Sequence, residues 1–156
     1  MTIYRKQLTP EQALQKLRHY CGYQERCHSE VREKLYSLGV RKSEHDVIIS
    51  TLIEEGYLNE ERFAIAFAGG KFRQNQWGRN KIKYALRQKQ VSDYCIKKAL
   101  KQIDEKEYQA VLKKLADGKY DALKDEQWLL RKKKTMDYLL QKGFEMELVN
   151  KIVGNE

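Results

Sequence analysis

The sequence predicts an all-α protein, three tandem three-helix repeats in an elongated, curved array of either hand, and three observations carry that expectation. Helix formers dominate, while one proline and nine glycines in 156 residues leave few breaking points. Apolar side chains recur at three- and four-residue intervals along the whole chain. Cap and turn chemistry returns together with those apolar columns at periods of 51 and 53 residues. At 41% hydrophobic and 10% aromatic residues, there is material for a core although 34% of the chain is charged.

Thr9, Pro10 and Gln12 supply an N-cap, a first-turn proline and a capping-box partner, and Ala13, Leu14, Leu17, Tyr20 and Cys21 follow at helical spacing. Ser29 opens a second run through Val31, Leu35 and Leu38, stopped at Gly39. Ser43, with Asp46 three residues on, caps a third through Val47, Ile48, Leu52 and Ile53, which stops at Gly56. Asn59 then caps a helix through Phe63, Phe67 and Phe72; Gly78 opens one through Ile82, Leu86 and Lys89; Ser92 caps one through Ile96, Leu100 and Ile103. The last round runs from Asp104 through Tyr108, Leu112 and Leu115, from Trp128 through Met136 and Leu140 to Gly143, and from Phe144 through Leu148, Val149, Ile152 and Val153. The units are therefore expected at 1–56, 57–103 and 104–156. Aligning the middle helices puts Leu35, Leu86 and Leu139 in one column and Val40, Val91 and Phe144 in another. Each unit buries its apolar face partly against its neighbour. Gln90 stands where Gly39 and Gly143 stand, so a left-handed residue kept there costs roughly 1 kcal/mol.

Charge is gathered rather than spread. Between Arg62 and Ser92 there is no acidic residue, while Arg62, Lys71, Arg73, Arg79, Lys81, Lys83, Arg87 and Lys89 are interleaved with aromatic rings. The rest of the chain is nearly neutral, although Arg131, Lys132, Lys133 and Lys134 form a second local cluster. A face that only keeps a protein soluble usually mixes signs, so the central segment points to a polyanion or an acidic protein as partner. Arg79, Lys83 and Arg87 keep i, i+4, i+8 spacing and share one helix face. Trp77 lies in a polar connector, where it can stack on a base, fill a partner's pocket or plug the junction between two repeats.

Other chemistry is set aside. No window approaches eighteen apolar residues and the start lacks the apolar stretch of a signal peptide, so a cytoplasmic protein without membrane contact is expected. Three cysteines argue for a reducing compartment rather than a disulfide framework. The basic segment holds no carboxylates for two-metal phosphoryl transfer, and Gly69-Gly70-Lys71 lacks the spacing of a phosphate-binding loop, so no enzyme and no cofactor are expected. His19, Cys21, Cys27 and His28 are misplaced for a zinc finger and read as buried or boundary side chains. His45 reads as a surface residue and Cys95 as core.

The YLNEERFA stretch from Tyr57, the KFR…WGRNKIKYAL…K stretch from Lys71 to Lys89, the REKLYSLGV run ending at Val40 and the KKKTMDYLLQKGFEMELV run together resemble the RecX family of bacterial recombination regulators, from about Thr9 to Val153. The chain departs from that pattern at Gln90, where glycine is common, and at Arg26-Cys27-His28-Ser29, where the arginine is more often joined directly to Ser or Thr. The resemblance implies a non-catalytic protein that lies along the groove of the RecA filament on DNA and restrains strand exchange and RecA's co-protease role, within DNA repair and the SOS response. Lys71, Arg73, Trp77, Arg79, Lys81, Lys83, Arg87, Lys89, Arg131, Lys132, Lys133 and Lys134 are then the expected contacts to RecA or, weakly and salt-sensitively, to single- or double-stranded DNA. Nothing in the sequence resembles a dimerising coiled coil, so a monomer is expected. The alternative is a helical DNA-binding regulator of helix-turn-helix type, with a recognition helix in each unit.

Overall fold

The capping residues set the helix boundaries. The structure is a computed structural model that describes residues 8–156, and over these it has nine helices and no strand. They run α1 Pro10–Tyr23, α2 His28–Ser37, α3 Lys42–Glu54, α4 Glu60–Asn75, α5 Arg79–Gln88, α6 Asp93–Lys101, α7 Glu105–Ala122, α8 Trp128–Gln141 and α9 Met146–Gly154, three to a unit. Thr9 and Gln12 close the expected capping box, while Asn59, Ser92 and Asp104 each accept a first-turn N–H.

Three expected starts are displaced. Helix α2 begins at His28 after Cys27, because the Ser29 hydroxyl donates to the Lys89 carbonyl at 2.7 Å instead of capping its own helix. Helix α3 begins at Lys42, ahead of Ser43; beside this start His45 Nε2 lies 3.0 Å from the Val40 carbonyl. His45 is accordingly fully buried, with Tyr36 packed edge-on at 4.5 Å, and is not the surface residue expected. Helix α9 begins at Met146 because Phe144 is spent in the preceding turn.

The three middle helices end in one way. In each, an i→i+5 bond closes the turn: Val40 N to Leu35 O at 3.0 Å, Val91 N to Leu86 O at 3.1 Å and Phe144 N to Leu139 O at 3.2 Å. Gly39, Gln90 and Gly143 take the left-handed position between, with φ of 76°, 63° and 98°. This is the Schellman geometry with its apolar contact, and all six residues of the two sequence columns are buried. Gln90 keeps the conformation despite its Cβ.

Two cores result. The first gathers Ala13, Leu14, Leu17, Cys21, Val31, Leu35, Ile48 and Leu52 of unit one, with Leu58 from the start of unit two. The second runs without interruption through units two and three, from Phe63 and Phe72 through Ile82, Leu86 and Tyr108 to Leu139, Phe144 and Val153. Cys27 is the one residue of the first unit buried in it. Cys21 and Cys27 therefore sit in different cores, and among the described residues no three His, Cys, Asp or Glu side chains are grouped to hold a metal. Cys95 is half-buried at the edge of the second core rather than inside it. No helix among the described residues is long and apolar enough to cross a membrane. The accessible surface, 10375 Å², exceeds the roughly 8,200 Å² of a compact monomer of this mass, as expected of an extended array.

Both junctions use the same two pieces. The first turn of α2 rests on the last turn of α5, through Ser29 and Lys89, and the first turn of α5 rests on the last turn of α8. At the second junction Gly78 N donates to Lys142 O at 2.7 Å and Asn80 N to Gly143 O at 2.9 Å. Besides the buried Cys27, the first junction carries ion pairs: Lys89 pairs with Glu30 at 3.4 Å, and Arg62 holds Glu25 at 2.5 Å and the Gly56 carbonyl at 3.0 Å.

Candidate protein and nucleic-acid interface

The Trp77-Gly78-Arg79 connector proves to be the hinge pin of the second junction. An added Cβ on Gly78 would overlap the backbone of Gly143 and Phe144, so only glycine lets the two backbone segments touch there. Arg79 follows directly and is not free. Its guanidinium lies 3.7 Å above the Tyr108 ring, bonds Glu145 at 2.8 Å and also pairs with Glu105. Its backbone N–H donates to the Tyr108 hydroxyl at 3.0 Å, and that hydroxyl donates to Glu145. Burial opposes the Arg79 charge, but the Glu145 and Glu105 bonds outweigh it and raise its pKa. Burial, together with the Glu145 carboxylate, pushes the Tyr108 phenol well above its usual range. The three-cation stripe Arg79, Lys83, Arg87 is thus a correct helix face with one member spent on packing.

Around Trp77 the charge is unspent. The ring is half-buried against the second core, the plug among the sequence readings, yet Lys71 Nζ stands 4.9 Å and Lys81 Nζ 4.7 Å from its centroid. Lys142, from the turn after α8, donates to the Asn75 carbonyl at 2.7 Å, and burial and the Lys81 charge lower its pKa. Lys71 from α4, Lys81 from α5 and Lys142 have no acidic partner among the described residues. Lys142 was invisible to charge counting along the chain, because the sequence puts it some fifty residues beyond the basic segment. Of the other expected residues, Arg73 is exposed and Lys83 half-exposed without an ion pair, Arg87 makes only a loose 3.4 Å pair with Asp93, and Lys89 belongs to the first junction.

The second cluster also divides. Arg131 stacks 3.6 Å over Tyr120 and bonds the Tyr120 carbonyl at 2.7 Å; Lys134 holds Glu126 at 2.6 Å. Lys132 leans over Trp128 at 5.4 Å and Lys133 is exposed. The first turn of α8 leaves Trp128, Leu129 and Leu130 open, with Trp128 58% exposed. Sequence reasoning took Trp128 only as a helix start; three apolar residues in a row at a helix N-terminus were the available signal.

Stacked three-helix units, joined through backbone and ion pairs and presenting cations with aromatic rings, define a helical-repeat protein. A family model described as RecX, second three-helix domain, matches residues 59–100, and one described as RecX, third three-helix domain, matches 105–153. The chain belongs to the RecX family. A relative from Clostridium perfringens (strain 13 / Type A), named "Regulatory protein RecX", is 35% identical over 126 residues, covering 80% of this chain and 58% of that protein. One of the same name from Clostridium tetani (strain Massachusetts / E88) is 30% identical over 127 residues, with the same coverage. The chain thus spans little more than half the length of these relatives, which are named as regulatory proteins rather than enzymes. The crystal structure of RecX from Lactobacillus salivarius superposes with a TM-score of 0.85 at 23% identity, covering 94% of this chain and 95% of that one. A second crystal structure titled regulatory protein RecX gives the same score at 22% identity, covering 73% of that chain.

Proposed function

We propose that the chain is a non-catalytic regulator that binds the RecA filament on DNA and restrains strand exchange and the co-protease role. It acts in the cytoplasm as a monomer built of units 1–56, 57–103 and 104–156. The observation that carries the reading is the group Lys71, Lys81, Lys142 and Trp77: three ammonium groups from three elements at the second junction, with no acidic partner among the described residues. Arg73, Lys83, Lys132 and Lys133 extend that surface, while Arg79, Lys89 and Arg131 support it from the junctions and Tyr120. Three neutralised phosphates give a log-log salt slope of about −2 on single strands and about −2.7 on duplex, so bare-DNA binding is weak at physiological salt and the lasting contacts are with protein.

The test is RecA-catalysed strand exchange with substoichiometric protein. Inhibition is expected, and the Lys71→Ala, Lys81→Ala, Lys142→Ala triple variant, with an unchanged circular dichroism spectrum, inhibits less. No effect of the parent protein at any ratio sinks the reading. Tight, sequence-selective binding to naked duplex at about 150 mM salt would instead favour a DNA-binding regulator.

A further inference from the structure

Unit one carries a recess, between α1 and α2, that neither junction uses. It encloses about 440 Å³ and is lined by Lys16, His19, Tyr20, Tyr23, Arg26 and Lys34 together with Gln15 and Leu38. No carboxylate lines it. That size lies within the range of small-molecule sites. Elsewhere in the same unit cations are spent on acids: Arg18 bonds Glu55 at 2.7 Å and Arg32 bonds Asp46 at 2.7 Å. Lys16, Arg26 and Lys34 have no such partner among the described residues.

Arg26 is held ready rather than loose. Its guanidinium lies face-on 3.7 Å above the Tyr20 ring, and its Nε donates to the Tyr20 carbonyl at 3.1 Å, which leaves both terminal amino groups unbonded. Lys34 Nζ stands 5.5 Å from the same ring. At the mouth, Tyr23 closes α1 with 79% of its surface exposed. A fixed guanidinium fork suits a phosphate, two ammonium groups add charge, and an exposed aromatic ring offers a stacking face.

We propose that this recess holds one nucleotide of a single-stranded nucleic acid, its base stacked on Tyr23 and its phosphate on the Arg26 fork with Lys16 and Lys34. A nucleotide is favoured over an acidic peptide because the walls offer ring faces and donors but only Leu38 as an aliphatic anchor. The site is independent of the filament reading, since it requires no RecA.

The experiment is fluorescence anisotropy of a labelled oligothymidylate of about 12 nucleotides, within the site sizes of single-strand binders. The full chain carries Lys71→Ala and Lys81→Ala as background, so that binding near Trp77 does not mask the recess. Tyr23→Ala is expected to weaken binding about 5- to 150-fold, the range for loss of one stacked base. Tyr23→Phe keeps the affinity, and Lys34→Ala makes the salt slope shallower by about 0.7. An abasic strand of equal length binds the background protein no better than the oligothymidylate binds the Tyr23→Ala protein. The proposal is overturned by no binding in the background protein, by unchanged affinity of folded Tyr23→Ala, by equal binding of the abasic strand, or by polyglutamate competing as well as unlabelled oligothymidylate.

Discussion

Gly78→Ala is the sharpest probe of how the second and third units are held together. The φ and ψ of Gly78, −76° and 167°, are open to alanine, so backbone strain is not the issue. The obstacle is opposite: the new methyl would overlap Gly143 C and O and Phe144 N, and a Cβ on Gly143 would in turn overlap Lys81, 2.6 Å from its N. Backbone faces backbone, so no side-chain rotation relieves the overlap and the units must part by about 1 Å to regain van der Waals distance. That shift stretches the 2.7 Å Gly78 N to Lys142 O bond and the 2.9 Å Asn80 N to Gly143 O bond past useful length. Overpacking costs about 1–3 kcal/mol and each weakened bond about 1 kcal/mol, for a total of about 3–5 kcal/mol. Against a typical domain stability of about 5–15 kcal/mol this is a large fraction. Urea unfolding followed by circular dichroism measures it, with Gly118→Ala as control: nothing lies within 4 Å of an added Cβ inside α7, and alanine there should stabilise by up to about 1 kcal/mol. A Gly78→Ala protein within about 0.5 kcal/mol of the parent would refute the contact as described.

Arg79→Ala should cost about 2 kcal/mol in the same assay, because Glu145 loses its ion-pair partner and the Tyr108 ring its stacked guanidinium at a half-buried junction, whereas Lys83→Ala should change stability by less than about 0.5 kcal/mol. Glu55, bonded to Arg18, and Glu105, bonded to Gln109 and Arg79, have pKa values held below the ordinary 4.5. A depressed folded value means the stabilisation is complete above 4.5 and is lost as pH falls through the folded values, so Glu55→Gln with Glu105→Gln should flatten the acid limb of a stability–pH curve below 4.5. Burial pushes the Cys21 thiol up to about 11 and raises that of Cys27, and both are shielded; a thiol reagent should therefore label half-buried Cys95 first, and Cys95→Ser should remove the fast phase.

Local chemistry was legible in the sequence where it stayed local. The Thr9, Asn59, Ser92 and Asp104 caps, the opening at Gly78 and the Leu35, Leu86, Leu139 column all depend on neighbours within a turn. Ser29 misled because a carbonyl sixty residues away claimed its hydroxyl, and His45 because its ring turns inward onto the Val40 carbonyl of the preceding turn, which apolar spacing alone does not announce. Arg79 was placed on the right face by its spacing, but its acids lie 26 and 66 residues away. Lys142 reaches Trp77's neighbourhood only through the docking of α8 against α5.

The two junctions have a consequence for direction. A helix carries partial positive charge at its start and partial negative charge at its end, and here the start of α2 meets the end of α5 while the start of α5 meets the end of α8. Within this row of three middle helices, opposite poles meet at both contacts, which leaves the end of α2 and the start of α8, beside Lys132 and Lys133, as the row's two free poles. The α8–α5–α2 row therefore has a direction of its own, with the two ends of the row electrically unlike.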